Sequence, residues 1–337
     1  MKKWQKKDYL LGESIMNKCI GCGVVLQNTD SNNDGYVENL EHNLCKRCFM
    51  IKNYNKNIIT NKTNRDYLNV INNIRDNDTV VYVSSLLTLN LDFIDKFKKV
   101  ILVLTKRDIL PKSIREHKII NYISKKYNNI SNIIIVSALK KYNLDCLYNL
   151  LYENKNNSIY FVGTTNSGKS TLINELIKSY DGREGNITVS NYPATTLDVV
   201  SVKIGNLTIK DTPGLVIEDS IINYLDDKYI GKINSKKEIK PITFQIKGSG
   251  AILIDELFRI EYETIESSMT FYLSNNLNVS SISLNNPRLK NLKYKLFEMN
   301  NQDLVIEDIG FIKVTNNTKV KVICNNSVYM YLRDKLI

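Results

Sequence analysis

Residues 163–171 read GTTNSGKST, and the rest of the chain is organised around this stretch. The apolar run at 159–162 is typical of a buried strand, and apolar residues recur at helical spacing over 172–177. A strand, a glycine-bearing loop and a helix in this order form a phosphate cradle, because backbone N–H groups and the helix N-terminus converge on the anion. The sequence therefore predicts a nucleotide-phosphate loop here.

The side chains of this loop have distinct predicted contacts. We expect Lys169 to reach the β- and γ-phosphates and the Ser170 hydroxyl to bind Mg²⁺. The other predicted nucleotide contacts in the loop are Gly163, Asn166, Ser167, Gly168 and Thr171.

Upstream of the loop, apolar runs alternate with helical patterns. Strands are predicted at 80–83, 100–104 and 133–136, and helices at 93–99, 114–127 and 144–152. Near-continuous β-branched strands that alternate with helices indicate an α/β fold with a parallel sheet covered on both faces.

Two of these strands end in residues suited to reading a guanine base. Asp108 can accept hydrogen bonds from the guanine N1–H and exocyclic amine, a pair of donors that adenine lacks. Thr105 and Lys106 precede it, and we expect the Lys106 stem to lie along the base. The next strand ends in Ser137, Ala138 and Leu139, where the Ala138 N–H is expected to donate to the guanine oxygen.

The segment after the phosphate loop has the features of a nucleotide switch. The polar stretch 181–192 leads to paired threonines, of which Thr196 is assigned the metal contact, with Thr195 as the alternative. A predicted hairpin over 197–210 ends in DTPG at 211–214. Asp211 is expected to hold Mg²⁺ through water and the Gly214 N–H to sense the γ-phosphate, so Lys169, Thr196 and Gly214 are the predicted catalytic residues.

Four of the six cysteines form two C-x-x-C pairs: Cys19, Cys22, Cys45 and Cys48. Two such knuckles can surround one zinc ion with four thiolates, which leaves no open position for water and predicts a structural site. The basic and aromatic residues around the knuckles would suit contact with RNA, or they form a solvated face.

The 337 residues allow two or three domains, and the formal net charge of +11 suits a nucleic-acid partner. The positive charge has an alternative explanation. AT-rich coding favours Asn, Lys, Ile and Tyr, so much of the lysine content would then reflect mutational drift. No apolar run approaches the roughly 18–20 residues of a membrane span, and the N-terminus lacks the apolar core of a secretory signal. A soluble, cytoplasmic protein with no membrane partner is expected.

The base-reading residues precede the phosphate loop, whereas GTPases usually carry them after it. A circular permutation preserves a pocket, because the pocket depends on where strands sit rather than on their order along the chain. With two cysteine knuckles in front, the chain closely resembles the YqeH family of circularly permuted GTPases. The likeness includes CKRCF at 45–49, LPKS at 110–113 and KKEIKPITFQ at 236–245.

This resemblance implies a circularly permuted P-loop GTPase domain, with a four-cysteine zinc module before it and a β-rich α+β domain behind. The predicted boundaries are 1–60, 61–218 and 219–337. It also implies a bacterial-type or organellar factor that uses GTP, GDP, Mg²⁺ and Zn²⁺ to assist assembly of the small (30S) ribosomal subunit. The expected partners are that subunit and its 16S-type rRNA, without DNA.

Catalysis departs from the common GTPase pattern. Leu215 stands where many GTPases carry a water-orienting glutamine, so slow intrinsic hydrolysis is expected. Resemblance to relatives that carry an apolar residue here implies that a potassium ion, held partly by Asn166, assists hydrolysis. The alternative role of Asn166 is to stabilise the loop. A non-hydrolysing, nucleotide-gated RNA-binding scaffold is the competing function. A third alternative is an enzyme that uses ATP. Asp108 argues against it, because adenine lacks the pair of donors that this carboxylate would accept.

The tail is predicted to be rich in strands, with alternating stretches at 243–246 and 269–273. The basic segment 288–295 is predicted to be a helix. Because DTPG at 211–214 leads directly into this tail, loss of the γ-phosphate is expected to reposition the C-terminal domain.

Overall fold

The computed structural model describes residues 17–49, 70–182, 199–215, 217 and 219–336. Six strands form its first sheet: β1 (Thr79–Ser85), β2 (Val100–Thr105), β3 (Ile130–Ile135), β4 (Ile159–Gly163), β5 (Val200–Ile204) and β6 (Leu207–Asp211). Their order across the sheet is β3-β2-β1-β4-β6-β5, and only the β5–β6 hairpin is antiparallel. The predicted parallel sheet is therefore confirmed.

Helices cover both faces of this sheet, as its strand sequences require. Helix α1 (Glu116–Lys126) packs on one face, against the even-numbered residues of β2 such as Leu102. Helices α2 (Leu144–Glu153) and α3 (Lys169–Asp181) pack on the other, against residues such as Val103. Every residue of β2 is buried, because alternate side chains enter two different cores.

The strand order brings the base-reading segments and the phosphate loop to one edge of the sheet. β1 lies between β2 and β4, and all three run parallel. The carboxyl ends of parallel strands share an edge, so the loops that follow β2, β3 and β4 meet there although the chain visits them in permuted order.

An antiparallel sheet follows, preceded by the short helix α4 (Asp227–Ile233). Its strands are β7 (Ile242–Ile254), β8 (Phe258–Leu273), β9 (Val279–Ile282), β10 (Lys293–Met299), β11 (Gln302–Ile306), β12 (Gly310–Val314), β13 (Thr318–Cys324) and β14 (Met330–Asp334). The main path runs β10-β13-β8-β12-β11-β14, and β7 pairs with both β8 and β9. The strands predicted at 243–246 and 269–273 are confirmed as parts of β7 and β8.

The C-terminal sheet packs on the α1 face of the first sheet and shares its core. Tyr272, Val305 and Phe311 lie in the same buried cluster as Leu102 and Leu104 of β2. Arg333 of β14 donates to the Thr88 carbonyl at 2.7 Å, and the Tyr331 hydroxyl donates to it at 2.8 Å. Apolar packing and hydrogen bonds thus hold the two sheets together.

Two local predictions are wrong. The helix predicted at 93–99 is a single 3₁₀ turn, Ile94–Lys96. The segment predicted as a helix at 288–295 is a turn that leads into strand β10, which pairs along its length with β13. Neighbouring strands override the local propensity of the second segment, which sequence alone could not anticipate.

Within the described part of the chain, no helix is both long and apolar enough to cross a bilayer. The domain boundaries at 60/61 and 218/219 stay predictions, and the first lies outside the described residues.

Candidate nucleotide-binding site

The loop after β4 requires glycine at two positions. A Cβ on Gly163 would lie 2.3 Å from the Val83 carbonyl oxygen, because β4 and β1 approach closely there. Gly168 has a φ of +89°, in the left-handed region, and caps helix α3, which begins at Lys169. The helix therefore starts at the loop, with its free N–H groups directed toward it. Ser170 and Thr171 occupy its first turn and are partly buried.

The base-reading segment contacts the phosphate loop directly. The Thr105 hydroxyl, at the end of β2, donates to the Ser167 backbone carbonyl and lies 3.3 Å from the Ser84 carbonyl oxygen. A Cβ on Gly168 would sit 3.1 Å from the same Thr105 hydroxyl oxygen. The structure thus brings both predicted halves of the site together at one edge of the sheet.

The two base-reading segments are also joined to each other. The Ser137 hydroxyl donates to an Asp108 carboxylate oxygen at 2.6 Å, and the Arg107 N–H donates to the Val136 carbonyl at 3.1 Å. Ala138 is partly buried, whereas Leu139 is 68% exposed at the rim. Asp108 is therefore held in place with its second carboxylate oxygen not used by Ser137.

Lys106 adopts the left-handed conformation, with a φ of 61°, between β2 and the turn that holds Asp108. Burial lowers the pKa of its ammonium group, while the negative charges of Asp308, Glu307 and Asp108 oppose that lowering. Two of these three carboxylates belong to the C-terminal sheet.

Lys169 lies against the DTPG segment. Its ammonium pairs with the Asp211 carboxylate and donates to the Thr212 carbonyl at 2.5 Å. Both charged side chains are buried, and a buried lysine without a partner would be costly. The predicted phosphate-binding and magnesium-binding residues are therefore in direct contact.

The end of the DTPG segment pairs with the phosphate loop as a short parallel bridge. The Leu215 N–H donates to the Gly163 carbonyl at 3.0 Å, and the Thr165 N–H donates to the Leu215 carbonyl at 2.9 Å. A Cβ on Gly214 would come within 3.3 Å of the Thr165 methyl carbon. The Leu215 side chain is 1% exposed and packs in the core, so it does not face solvent.

Thr195 and Thr196 fall within 183–198, outside the described residues. Sequence reasoning missed Asp308, which lies in the turn between β11 and β12. One of its carboxylate oxygens accepts from the Asn166 amide nitrogen at 3.0 Å, and the other accepts from the Ser220 hydroxyl. No local signal marks Asp308, because its partners lie 142 and 88 residues away in sequence.

The four N-terminal cysteines form a second candidate site. Their sulfur atoms lie within 4.8 Å of one another, all four residues are buried, and none is in a disulfide. Tetrahedral zinc with Zn–S distances of about 2.3 Å requires sulfurs about 3.8 Å apart, and the Cys22 and Cys45 sulfurs are separated by 3.8 Å. The arrangement is compatible with Zn²⁺.

Backbone groups support the cysteine cluster. The Cys45 N–H donates to the Cys19 sulfur at 3.3 Å, and the Cys48 N–H donates to the Cys45 sulfur at 3.5 Å. The neighbouring Cys19 sulfur and burial raise the pKa of the Cys22 and Cys48 thiols. A bound cation would reverse this effect, because it stabilises the thiolate form.

The sheet order, the G-x-x-x-x-G-K-S loop after β4 and the residues predicted to read guanine after β2 and β3 together match a circularly permuted P-loop GTPase. Residues 158–273 match the family model described as "50S ribosome-binding GTPase". YqeH of Bacillus subtilis is 32% identical over 286 residues, which cover 80% of this chain and 78% of that protein. The chain belongs to the YqeH family, and it is an enzyme that hydrolyses GTP.

Two further proteins are similar over shorter lengths. The small ribosomal subunit biogenesis GTPase RsgA of Malacoplasma penetrans is 30% identical over 155 residues, 45% of this chain and 51% of that protein. The solved structure of YjeQ from Thermotoga maritima is 21% identical, with a TM-score of 0.31, over 42% of this chain and 51% of that one.

Proposed function

We propose that this GTPase assists assembly of the small ribosomal subunit and that its nucleotide state controls association with the subunit and its 16S-type rRNA. The contact between the Thr105 hydroxyl and the Ser167 carbonyl carries the enzymatic part, because it joins guanine reading to phosphate binding in one pocket. Similarity to RsgA, whose name states this role, and the net charge of +11 support the ribosomal part.

The nucleotide is held from two sides. Asp108 accepts the guanine N1–H and amine, the Lys106 stem lies along the base, and the Ala138 N–H donates to the base oxygen. Thr105, Ser137 and Leu139 shape this side of the pocket. The backbone of the phosphate loop and the Lys169 ammonium hold the phosphates, so Lys169 exchanges part of its present contact with Asp211 for phosphate oxygens.

Mg²⁺, when bound with the nucleotide, neutralises charge on the β- and γ-phosphates. Ser170, Asp211 and Thr196 are the side chains proposed to hold it. Ser170 directly follows Lys169 in the chain. The ion pair between Lys169 and Asp211 keeps the Asp211 carboxylate next to the same loop. Gly214 presents its N–H where the γ-phosphate would be read.

Hydrolysis is proposed to be slow and to be stimulated by K⁺. The Leu215 side chain is buried in the core and has no polar atom, so it cannot orient a water molecule. A K⁺ ion beside the phosphates would supply positive charge, with the Asn166 carbonyl as one ligand. Asn166 has a φ of 59°, in the left-handed region, within the phosphate loop.

The segments before and after the GTPase domain also have proposed roles. A four-cysteine module (1–60) binds structural Zn²⁺, the GTPase domain spans 61–218, and the C-terminal domain (219–337) contacts RNA or protein. We assign the activity to the cytoplasm, with neither a membrane nor DNA as a partner.

A nucleotide-gated RNA-binding scaffold with negligible turnover is the alternative, and burial of Leu215 is the observation that favours it. Multiple-turnover phosphate release with and without purified small subunits separates the two. Release that accelerates with subunits supports the assembly GTPase. Release that never exceeds one phosphate per chain supports the scaffold.

Sedimentation with separated ribosomal subunits tests the partner. The full chain is mixed with small or large subunits in GDP or in a non-hydrolysable GTP analogue, and its amount in the ribosomal pellet is measured. We expect co-sedimentation with small subunits in one nucleotide state. Binding to large subunits, which the description of the family model names, or equal binding to both, would contradict the proposal.

Two lysine variants on helix α3 control for non-specific charge. Lys169→Ala removes the phosphate contact and should abolish the difference between nucleotide states. Lys178→Ala removes an exposed charge near the other end of the helix and should leave that difference intact.

A further inference from the structure

The turn between β11 and β12 carries two acidic residues from the C-terminal sheet to the GTPase domain. Glu307 is buried and accepts from the Asn90 amide at 3.1 Å. Asp308, the next residue, has a φ of 64°, in the left-handed region that aspartate tolerates better than most residues. The turn is therefore anchored to the segment that follows β1, and Asp308 lies beyond that anchor.

Asp308 joins two parts of the nucleotide site. One carboxylate oxygen accepts from the Asn166 amide nitrogen in the phosphate loop at 3.0 Å. The other accepts from the hydroxyl of Ser220, six residues after Gly214 of the DTPG segment. A single side chain from the C-terminal sheet thus contacts both the loop and the segment that follows the γ-phosphate sensor.

This contact determines which end of the Asn166 amide faces the C-terminal sheet. An ionised carboxylate only accepts hydrogen bonds, so the amide nitrogen must face Asp308 and the amide oxygen must lie on the other side. Without Asp308, the amide could rotate and exchange its donor and acceptor ends. Orientation matters here, because a cation ligand has to be the oxygen.

We propose that Asp308 is a positioning residue that holds the Asn166 amide so that its oxygen is available to a monovalent cation at the nucleotide. This rests on the K⁺ part of the proposed function. Asp308 belongs to the C-terminal sheet. The Asn166 side chain is therefore held in this orientation only while that sheet packs on the GTPase domain. A partner that shifts the β11–β12 turn would release Asn166 and lower the response to K⁺.

Four substitutions separate orientation from charge and from general damage. Asp308→Ala removes the acceptor. Asp308→Asn removes the charge and keeps a hydrogen bond to Asn166, but it offers a donor as well as an acceptor, so it no longer fixes which end of the Asn166 amide faces it. Asn166→Ala removes the partner, and Glu263→Gln neutralises an exposed carboxylate on β8 as the matched control.

Hydrogen–deuterium exchange of residues 163–168 in the GDP-bound protein measures how well the phosphate-loop backbone is protected, and it does not require GTP hydrolysis. We expect Asp308→Ala to raise that exchange about tenfold, as loss of a hydrogen bond to a charged group predicts. Asp308→Asn and Glu263→Gln should stay near wild type. In the Asn166→Ala background, Asp308→Ala should add nothing.

The concentration of K⁺ that gives half-maximal GTP hydrolysis is the second measurement, and Asp308→Ala should raise it about tenfold. Unchanged loop exchange in Asp308→Ala, or the same half-maximal K⁺ concentration in Asp308→Ala as in Glu263→Gln, would overturn the positioning role. If the wild-type protein turns over equally in Na⁺ and K⁺, the K⁺ part of the proposed function fails. The exchange experiment still decides whether Asp308 restrains the phosphate loop through Asn166.

Discussion

The Thr105 hydroxyl donates to the backbone carbonyl of Ser167, which lies 62 residues later in the chain. Thr105 ends the strand that leads to the predicted guanine-reading residues, and Ser167 lies in the predicted phosphate loop. Thr105 ends β2 and Ser167 follows β4, and these two strands are not neighbours in the sheet. The contact is nevertheless made, because β1 alone separates β2 from β4 in the sheet.

Removal of this hydroxyl tests the tether. Thr105→Val keeps the size of the side chain but leaves the Ser167 carbonyl without its donor in a buried site, which costs about 1–2 kcal/mol. We expect GDP affinity to fall about tenfold, measured by titration calorimetry. Thr105→Ser retains the hydroxyl and serves as the control. Equal affinity in the valine and serine variants would show that the contact does not shape the pocket.

Base specificity should depend on Asp108. Asp108→Asn replaces one carboxylate oxygen with an amide donor, so the pair of hydrogen bonds to guanine is lost and GTP affinity should fall about 100-fold. Xanthine has a carbonyl where guanine has its amine, and the new amide can donate to it. Displacement of a fluorescent GDP analogue by GTP, XTP and ATP measures the change. A variant that still prefers GTP would exclude Asp108 as the base-reading residue.

Restoring a glutamine at position 215 should not restore fast hydrolysis. Leu215 is buried in the core that the two sheets share, and a buried amide without a partner destabilises the fold. Leu215→Gln is expected to lower the free energy of unfolding by about 2–4 kcal/mol without raising single-turnover phosphate release.

The matched control for that substitution is Leu215→Met, which conserves volume and should cost less than about 1.5 kcal/mol. Urea unfolding and rapid-quench kinetics provide the two measurements. Faster hydrolysis in Leu215→Gln would mean that this side chain reaches the nucleotide.

The four-cysteine site should hold one zinc ion that maintains its own fold. Cys45→Ser removes one thiolate from a buried set, so we expect loss of the metal and rapid proteolysis within residues 17–49. Cys146→Ser, at an exposed position on α2, should retain full metal content. Metal analysis by mass spectrometry checks both variants. Zinc retained at full stoichiometry by Cys45→Ser would argue against a four-thiolate site.

Stability should depend on the protonation of Glu307. Burial, together with the neighbouring Asp308 carboxylate, raises the pKa of Glu307 from 4.5 to about 8, although the Asn90 amide opposes the change. The folded protein therefore retains a proton that the unfolded chain releases above pH 4.5. Through this group, stability falls as the pH rises from about 4.5 to about 8.

Glu307→Gln removes this dependence while keeping an oxygen that accepts from Asn90. Relative to wild type, the variant should gain on the order of 3 kcal/mol of unfolding free energy between pH 5 and pH 9. Urea unfolding at the two pH values measures the gain, with Glu263→Gln as an exposed control. The same pH dependence in the variant and the wild type would exclude Glu307 as the titrating group.

Sequence alone was sufficient wherever function resides in contiguous residues. Gly168 bends the phosphate loop through its own backbone, and a cysteine knuckle is a local turn. Asp108 and Ser137 come shortly after β-branched runs, which indicate buried strands. Residue types at fixed spacing were therefore enough to predict the permuted GTPase fold and the four-cysteine cluster.

Tertiary structure alone decided the contacts between distant elements. Asp308 meets Asn166 across 142 residues, and Leu215 is buried in a core to which both sheets contribute. Strand β10 replaces a predicted helix because β13 pairs with it. Such contacts depend on how two sheets pack, and the packing energy is spread over many side chains, so no short stretch of sequence encodes it.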